Sequence, residues 1–365
     1  MTILRNRNYV LGNAVLLFAM SLSLLLAPNV SAGEAPRRPI DVERTERVYP
    51  YTMKGKVRIL FFWIGKDDVG GGHISLTRMP ADDAISKERI EVLFGSKPER
   101  VPGRHNRWGY AFETSYWRAS SSGAPPELER TLLEGFMRRS KESSMSELQT
   151  TSSSENAAKG YAFKGTRSEV SRTRATAEIR FFTTAENFDY RHAAPIREGY
   201  EERLDAGPPD KLTTLDNDDG YRAPYGFLSA TRHLLQRVVV DFQQNQKRWD
   251  RARPSEIYVY NAKRFRLRIK DIDHKKTFRV GSKSSTLPPL HDVASVEFRI
   301  EELGTRYKHD FTAWIPLRGE LVGIPVRIVD KPRWWLRVEL ELAPDAKLLT
   351  VLKRSRNDRA LDEEN

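Results

Sequence analysis

The 365-residue chain contains no cysteine. That excludes disulfides, a thiolate nucleophile, a thiolate metal site and a lipid-modified N-terminal cysteine. A chain without cross-links must be held by core packing alone. Long apolar runs are nearly as scarce. Only one stretch, close to the N-terminus, approaches the roughly 20 apolar residues of a membrane-spanning helix. The mean hydropathy of −0.59 and the 30% of charged residues mark the rest as water-facing.

Recognisable chemistry is also sparse. None of the seven histidines (His73, His105, His192, His233, His274, His291 and His309) falls at His-x-x-x-His spacing with an acid nearby, which leaves a metal site without support. No Gly-x-Ser-x-Gly elbow occurs. No Gly-Lys-Ser/Thr follows Gly70-Gly71-Gly72, so that run is not a phosphate loop. Asp216-Asn217-Asp218-Asp219-Gly220 has its glycine in fifth place and no carboxylate from Tyr221 to Val240; it reads as a turn, not a calcium loop. His309 shares a face with Tyr307 and Phe311 and reads as a satisfied core or rim histidine. No cofactor is implied.

The N-terminus, by contrast, is informative. Arg5 and Arg7 precede an uncharged apolar core, Ala14 to Leu26, and small residues lead to Ala32 and Gly33. This is the order of a cleavable signal peptide over residues 1–32, and it predicts an exported protein, periplasmic or extracellular. The alternative is an uncleaved anchor, for which the core is short. Residues 33–50, with Pro36, Pro39 and Pro50, read as a linker. The net charge is +12, or +10 once Arg5 and Arg7 are removed with the leader (12 − 2). Outside the cytoplasm nucleic acid is not an expected partner. Anionic lipid head groups, lipopolysaccharide phosphates or acidic polysaccharides are, with peripheral membrane contact among the possibilities. The competing reading is charge that only solubilises the surface.

From Tyr51 to Leu342 the side chains keep returning to period two. Val57, Ile59, Phe61 and Trp63 share a face of Lys56–Ile64; residues 65–72 read as a glycine-rich turn, and Ile74–Arg78 as the returning strand. Glu88–Phe94, Trp108–Arg118, Glu178–Phe182, Ile257–Tyr260, Arg264–Lys270, Val296–Glu301 and Trp334–Leu342 are further strands. Asn261-Ala262-Lys263 is the expected turn between two of them. Such one-sided strands imply antiparallel sheets with one wet face. Tyr225–Trp249 differs: Phe227, Leu228, Thr231, Leu234, Leu235, Val238, Val239 and Phe242 form a helical stripe, introduced by Pro224. Pro126–Gln149 fits either period; a strand followed by a short helix near Ser144–Gln149 is preferred. Residues 150–160 read as a loop and 345–365 as a frayed polar tail. The expected fold is mainly β, a curved antiparallel sheet or half-open barrel over residues 51–344, packed on one amphipathic helix at about 225–249.

The C-terminal half has a recognisable order. A helix, GFLSATRHLLQRVV from Gly226, precedes the hairpin IYVYNAKRFRLRI from Ile257 to Ile269. A strand ending Ala313-Trp314-Ile315-Pro316 and the run Gly323-Ile324-Pro325-Val326-Arg327-Ile328 follow. This resembles an uncharacterised family of exported bacterial proteins, a domain of unknown function, whose opening strand pair is similar to Lys56–Gly72. The resemblance covers about 200 residues in two blocks. It implies a curved antiparallel sheet around a helix, distantly like periplasmic lipoprotein carriers, and carries no activity.

Two polar–aromatic stretches are candidate ligand-binding sites. Arg104, His105, Arg107 and Trp108 place two guanidiniums, an imidazole and an indole within five residues, a set able to grip a phosphate or carboxylate. The plainer alternative is a basic turn with Trp108 as strand anchor. Trp335, beside Trp334 in Lys331-Pro332-Arg333-Trp334-Trp335, suits a barrel mouth or membrane interface; the alternative packs Trp334 in the core and leaves Trp335 half exposed. The expected function is non-catalytic: an exported envelope protein that binds an apolar or amphiphilic ligand in the concavity of its sheet. A structural or interaction module of the envelope is the alternative, and a hydrolase of envelope material is the reading with least support.

Overall fold

Alternating side chains build fifteen strands, all in one sheet. A computed structural model describes residues 45–59, 62–82, 85–101, 107–119, 126–138, 161–184, 190–192, 208–216, 224–244, 248–281, 288–343 and 349–351. The elements are β1 (Thr45–Ile59), β2 (Phe62–Asp82), β3 (Ile85–Ser96), β4 (Trp108–Arg118), β5 (Glu127–Arg138), β6 (Tyr161–Ser171), β7 (Arg174–Thr184) and β8 (Lys211–Asp216). Then come helix α1 (Phe227–Gln243), β9 (Ser255–Tyr260), β10 (Lys263–Phe278), β11 (Leu290–Glu302), β12 (Lys308–Pro316), β13 (Arg327–Arg333), β14 (Leu336–Leu342) and β15 (Leu349–Val351).

Strands β1 to β8 pair consecutively with one another, and so do β9 to β14. The two meanders join where β1 pairs antiparallel with β14, Tyr51 opposite Leu342 and Val57 opposite Leu336. β8 and β9 are left as the two edges, so the sheet is not closed. It nevertheless curls until these edges meet through side chains. Val259 and Ile257 of β9 pack on Val170, Ala175 and Leu215, and the Arg264 guanidinium donates to the Asp216 carbonyl at 3.1 Å. The result is the mainly β, half-open barrel around one amphipathic helix that the alternation predicts.

α1 fills the concave side. Its stripe residues Phe227, Leu228, Leu234, Leu235, Val238 and Val239 are buried against the sheet in the main core. The Val259 N–H ties β9 to the Tyr225 carbonyl at 3.1 Å, just before the helix. Its N-terminus is held from β4: the buried Glu113 carboxylate accepts from the backbone N–H groups of Leu228 at 2.8 Å and Ser229 at 2.7 Å. Free helix N-terminal N–H groups need such acceptors. Gly226 permits the approach, since a Cβ there would lie 2.5 Å from that carboxyl group. No helix among the described residues is long and apolar enough to cross a membrane.

Several boundaries differ from the sequence reading. The supposed linker ends early: Thr45–Pro50 already belong to β1, with Tyr49 buried, and Pro50 is tolerated where β14 has just ended, its carbonyl accepting from the Ala343 N–H at 2.9 Å. The supposed tail returns as β15, Leu349 opposite Val48. The glycine-rich stretch is not a turn. β2 runs straight through it, and the chain reverses instead between Ile59 and Phe62, inside the expected first strand. The glycines serve close backbone approach: a Cβ at Gly72 would fall 1.8 Å from the Leu93 carbonyl oxygen. Gly72→Ala is therefore expected to cost about 3 kcal/mol by forcing β2 off β3, read as a fall in the urea midpoint; an unchanged midpoint would show that the strands separate there without cost. The helix ends at Gln243, not Trp249; Trp249 begins a 3₁₀ turn and packs edge-on to Phe242, ring centroids 5.1 Å apart. Residues 1–44, the Ser144–Gln149 helix and the loop at 150–160 lie outside the described residues.

The expectation of one wet face fails over β3–β6. The aromatic side of β4 does not meet α1. Trp108, Tyr110 and Phe112 join Leu93, Phe136 and Phe163 in a second buried cluster on the convex face, with Tyr190 packed against it. The alternate residues Ala111 and Glu113 face the helix instead. Alternation identifies two faces; it does not say that the more aromatic one is the inner one.

Candidate functional site

The strand registers of β9–β13 assemble a mixed apolar and polar surface on the inner face. Phe265 stands opposite both Tyr258 and Glu302, and the Glu302 N–H donates to the Tyr307 carbonyl at 3.3 Å. Residues directly opposite share a face at about 5 Å. One row therefore runs Tyr258, Phe265, Glu302, Tyr307. Two residues further along, Leu267, Ile300 and His309 form the next row on that face, and Ile269, Phe298, Phe311 and Asp330 the third. The first turn of α1 closes over them: the Phe227 ring lies 5.1 Å from Tyr258 and 6.5 Å from Phe311.

The polar groups in this enclosure are unevenly satisfied. His309 Nε2 and Asp330 Oδ1 are 2.7 Å apart, and Asp330 is completely buried. Burial drives the Asp330 carboxyl above its ordinary pKa against the His309 hydrogen bond. Burial also works to lower His309, but the Asp330 hydrogen bond and charge outweigh it and raise the imidazole. The hydroxyls of Tyr258 and Tyr307 have no hydrogen-bond partner among the described residues, and both are shielded from solvent. Burial lifts the Tyr258 hydroxyl well above the usual phenol range. It pushes Tyr307 up to about 12, helped by the charges of Asp330 and Glu302. Both therefore stay protonated and available as neutral donors.

These polar groups are set among the apolar side chains of Phe227, Phe265, Leu267 and Phe311. His309 is oriented by Asp330, but no hydroxyl nucleophile is bonded to it among the described residues. His309 is a largely buried histidine paired with Asp330, at the core or rim position anticipated from its place beside Tyr307 and Phe311.

The residues proposed from sequence are dispersed. Arg104 and His105 lie outside the described residues. Arg107 is exposed, its backbone N–H donating to Ser96 Oγ at 2.9 Å. The Trp108 ring is buried on the convex face, edge-on to Phe136 and Phe163 at 5.6 Å each; it acts as a strand anchor on the side of the sheet away from α1. Trp335 sits in the β13–β14 turn, separated from Trp108 by β1, β2 and β3 in the sheet order. The alternation that placed Trp334 in the core is overturned: the turn falls on Trp334-Trp335, leaving Trp334 74% and Trp335 40% exposed. Sequence reasoning missed Tyr258, Tyr307 and Asp330. The available signal was a polar group at an inward position of an apolar strand, as in Ile328–Asp330.

No family model matches the chain, and the comparison with curated proteins finds no match. Among solved structures, a β-barrel-like protein of a domain of unknown function, DUF1849, from Brucella abortus is similar over 83% of this chain and 97% of its own, with 8% identity and a TM-score of 0.36. That neighbour is described by its barrel-like fold alone, and the open sheet of the present chain rests on its own strand order.

Proposed function

We propose that the chain is an exported, non-catalytic binding module of the cell envelope. It takes an amphiphilic ligand against the inner face of β9–β13, beneath the first turn of α1. The observation that carries this reading is the convergence of two of the buried hydroxyls that lack a hydrogen-bond partner among the described residues, Tyr258 and Tyr307, within walls formed by Phe227, Phe265 and Phe311. Buried polar groups left without partners are uncommon and are a feature of sites completed by something else. An apolar enclosure with a few convergent polar groups is the usual make-up of a small-molecule site. The side-chain seam between β8 and β9 supports the reading further, because it opens without breaking a backbone ladder.

Native mass spectrometry and organic extraction of the purified protein are expected to recover a bound amphiphile. Tyr258→Phe and Tyr307→Phe separate ligand binding from packing. Removing a hydroxyl that has no partner leaves the ligand-free protein as stable as before, or more stable by about 1 kcal/mol. The same change removes a hydrogen bond to the ligand and is expected to reduce its retention about tenfold. A protein that carries no extractable ligand, with phenylalanine variants that lose stability, would overturn the proposal.

A further inference from the structure

Exposed large apolar side chains are rare among the described residues, and they are not scattered. Of seven, five lie together at one end of the sheet: Val57, Trp63, Ile64, Trp334 and Trp335. The registers explain the grouping. Val57 stands opposite Ile64 on β2 and Leu336 on β14, and Arg58 stands opposite Trp63. The Arg58 N–H donates to the Trp335 carbonyl at 2.8 Å, which binds the β1–β2 and β13–β14 hairpin ends side by side. Two adjacent hairpin ends thus present three indoles, a valine and an isoleucine to solvent.

The charge around this tip is one-sided. Arg58, Lys66 and Lys331 are exposed beside it, and Lys56 and Arg337 flank it on the convex face. Of the nearby acids, Glu339 is buried, with Lys56 at 2.7 Å and Arg337 at 2.8 Å from its carboxylate and Arg327 hydrogen-bonded to it as well. Asp67 is the one exposed acid in the described tip, 3.8 Å from Lys54. A soluble ligand pocket does not need protruding tryptophans, and a protein partner would not require a cationic rim. Indole rings flanked by lysine and arginine match the boundary between acyl chains and anionic phosphates, where amphipathic rings and basic side chains are both stabilised.

We infer that the paired hairpin ends, through Trp63, Trp334 and Trp335 with the surrounding lysines and arginines, dock the protein on an anionic lipid surface. This surface is separate from the inner-face site of the proposed function, and either can fail without the other.

The test uses the full chain and vesicles of phosphatidylcholine with or without phosphatidylglycerol. All seven tryptophans lie from residue 63 onward, so quenching by lipids brominated on their acyl chains reads the folded body independently of the leader. Wild type is expected to bind phosphatidylglycerol vesicles with a blue shift and bromine quenching. Salt and each removed basic residue weaken binding, by about fivefold per residue near the surface. Trp334→Ser with Trp335→Ser, both exposed, should leave the thermal melt unchanged and abolish quenching, while lysine variants at Lys66 and Lys331 reduce affinity for phosphatidylglycerol vesicles alone. The inference is overturned if wild type shows no quenching, if the double tryptophan variant is quenched equally, or if sedimentation shows a dimer that these substitutions dissociate.

Discussion

Replacing Glu113 by alanine is expected to lower the stability of the protein by about 4 kcal/mol. Glu113 reaches from β4 to two backbone N–H groups in the first turn of α1, and all three partners are buried. Alanine leaves both donors dry, at about 1–3 kcal/mol each, and opens a void where the side chain stood. Burial raises the Glu113 carboxyl above its ordinary range, against the opposing pull of the Ser229 and Leu228 hydrogen bonds. Part of the carboxylate's contribution is thus offset by the cost of keeping a charge dry. It follows that Glu113→Gln, which retains one acceptor and removes the charge, costs only about 1 kcal/mol. Urea denaturation of the two variants checks the ordering. Equal midpoints for Ala and wild type would show that the helix start is held by something other than this carboxylate. Gly226→Ala, which drives a methyl group into the same carboxyl, should resemble the alanine variant.

A second large effect is expected on the other side of the helix. Arg232 is buried on α1 and pairs with Glu88 of β3, which Arg78 of β2 also reaches at 3.2 Å. Glu88→Ala leaves the Arg232 guanidinium in the core facing a second cation, and about 3–5 kcal/mol should be lost. Burial already lowers Arg232 from its usual range, with the Glu88 charge and hydrogen bond opposing. Replacing both partners by leucine should recover most of the loss, because a buried ion pair and an apolar pair of similar volume are commonly close in free energy. The comparison is a double-mutant cycle by chemical denaturation. A Glu88→Ala variant with wild-type stability would mean that water or another carboxylate satisfies Arg232.

These two anchors were not legible in the sequence, whereas the elements they join were. The α1 stripe could be read because seven buried positions recur at helical spacing. The β9–β10 hairpin could be read because short strands flank Asn261-Ala262, and both residues adopt the left-handed conformation of a tight hairpin turn, with φ of 51° and 52°. Nothing in the sequence marks Glu113 and Arg232 as buried, since a charge on a strand or helix is ordinarily wet and its burial depends on partners 115 and 144 residues away (228 − 113 and 232 − 88). The glycine-rich stretch misled for a related reason. Glycine serves turns and close backbone approach alike, and only the neighbouring strand, β3, decides between them. The candidate site was missed because Tyr258, Tyr307 and Asp330 become neighbours only through the registers of five strands.

The junction of β1 with β14 has a kinetic consequence. Residues 51–57 find their partners at 336–342, near the far end of the chain. As the polypeptide emerges, the first meander must wait with one flank of β1 unpaired while the second is made, and α1 reaches the channel between them from the middle. Only when Leu336–Leu342 arrives do the halves zip into one sheet. A closure spanning nearly three hundred residues is slow, and the waiting strand is a template for unwanted pairing between molecules. Folding yield should therefore depend on how long β1 stands alone, and a chain truncated before Leu336 should aggregate instead of forming half a sheet.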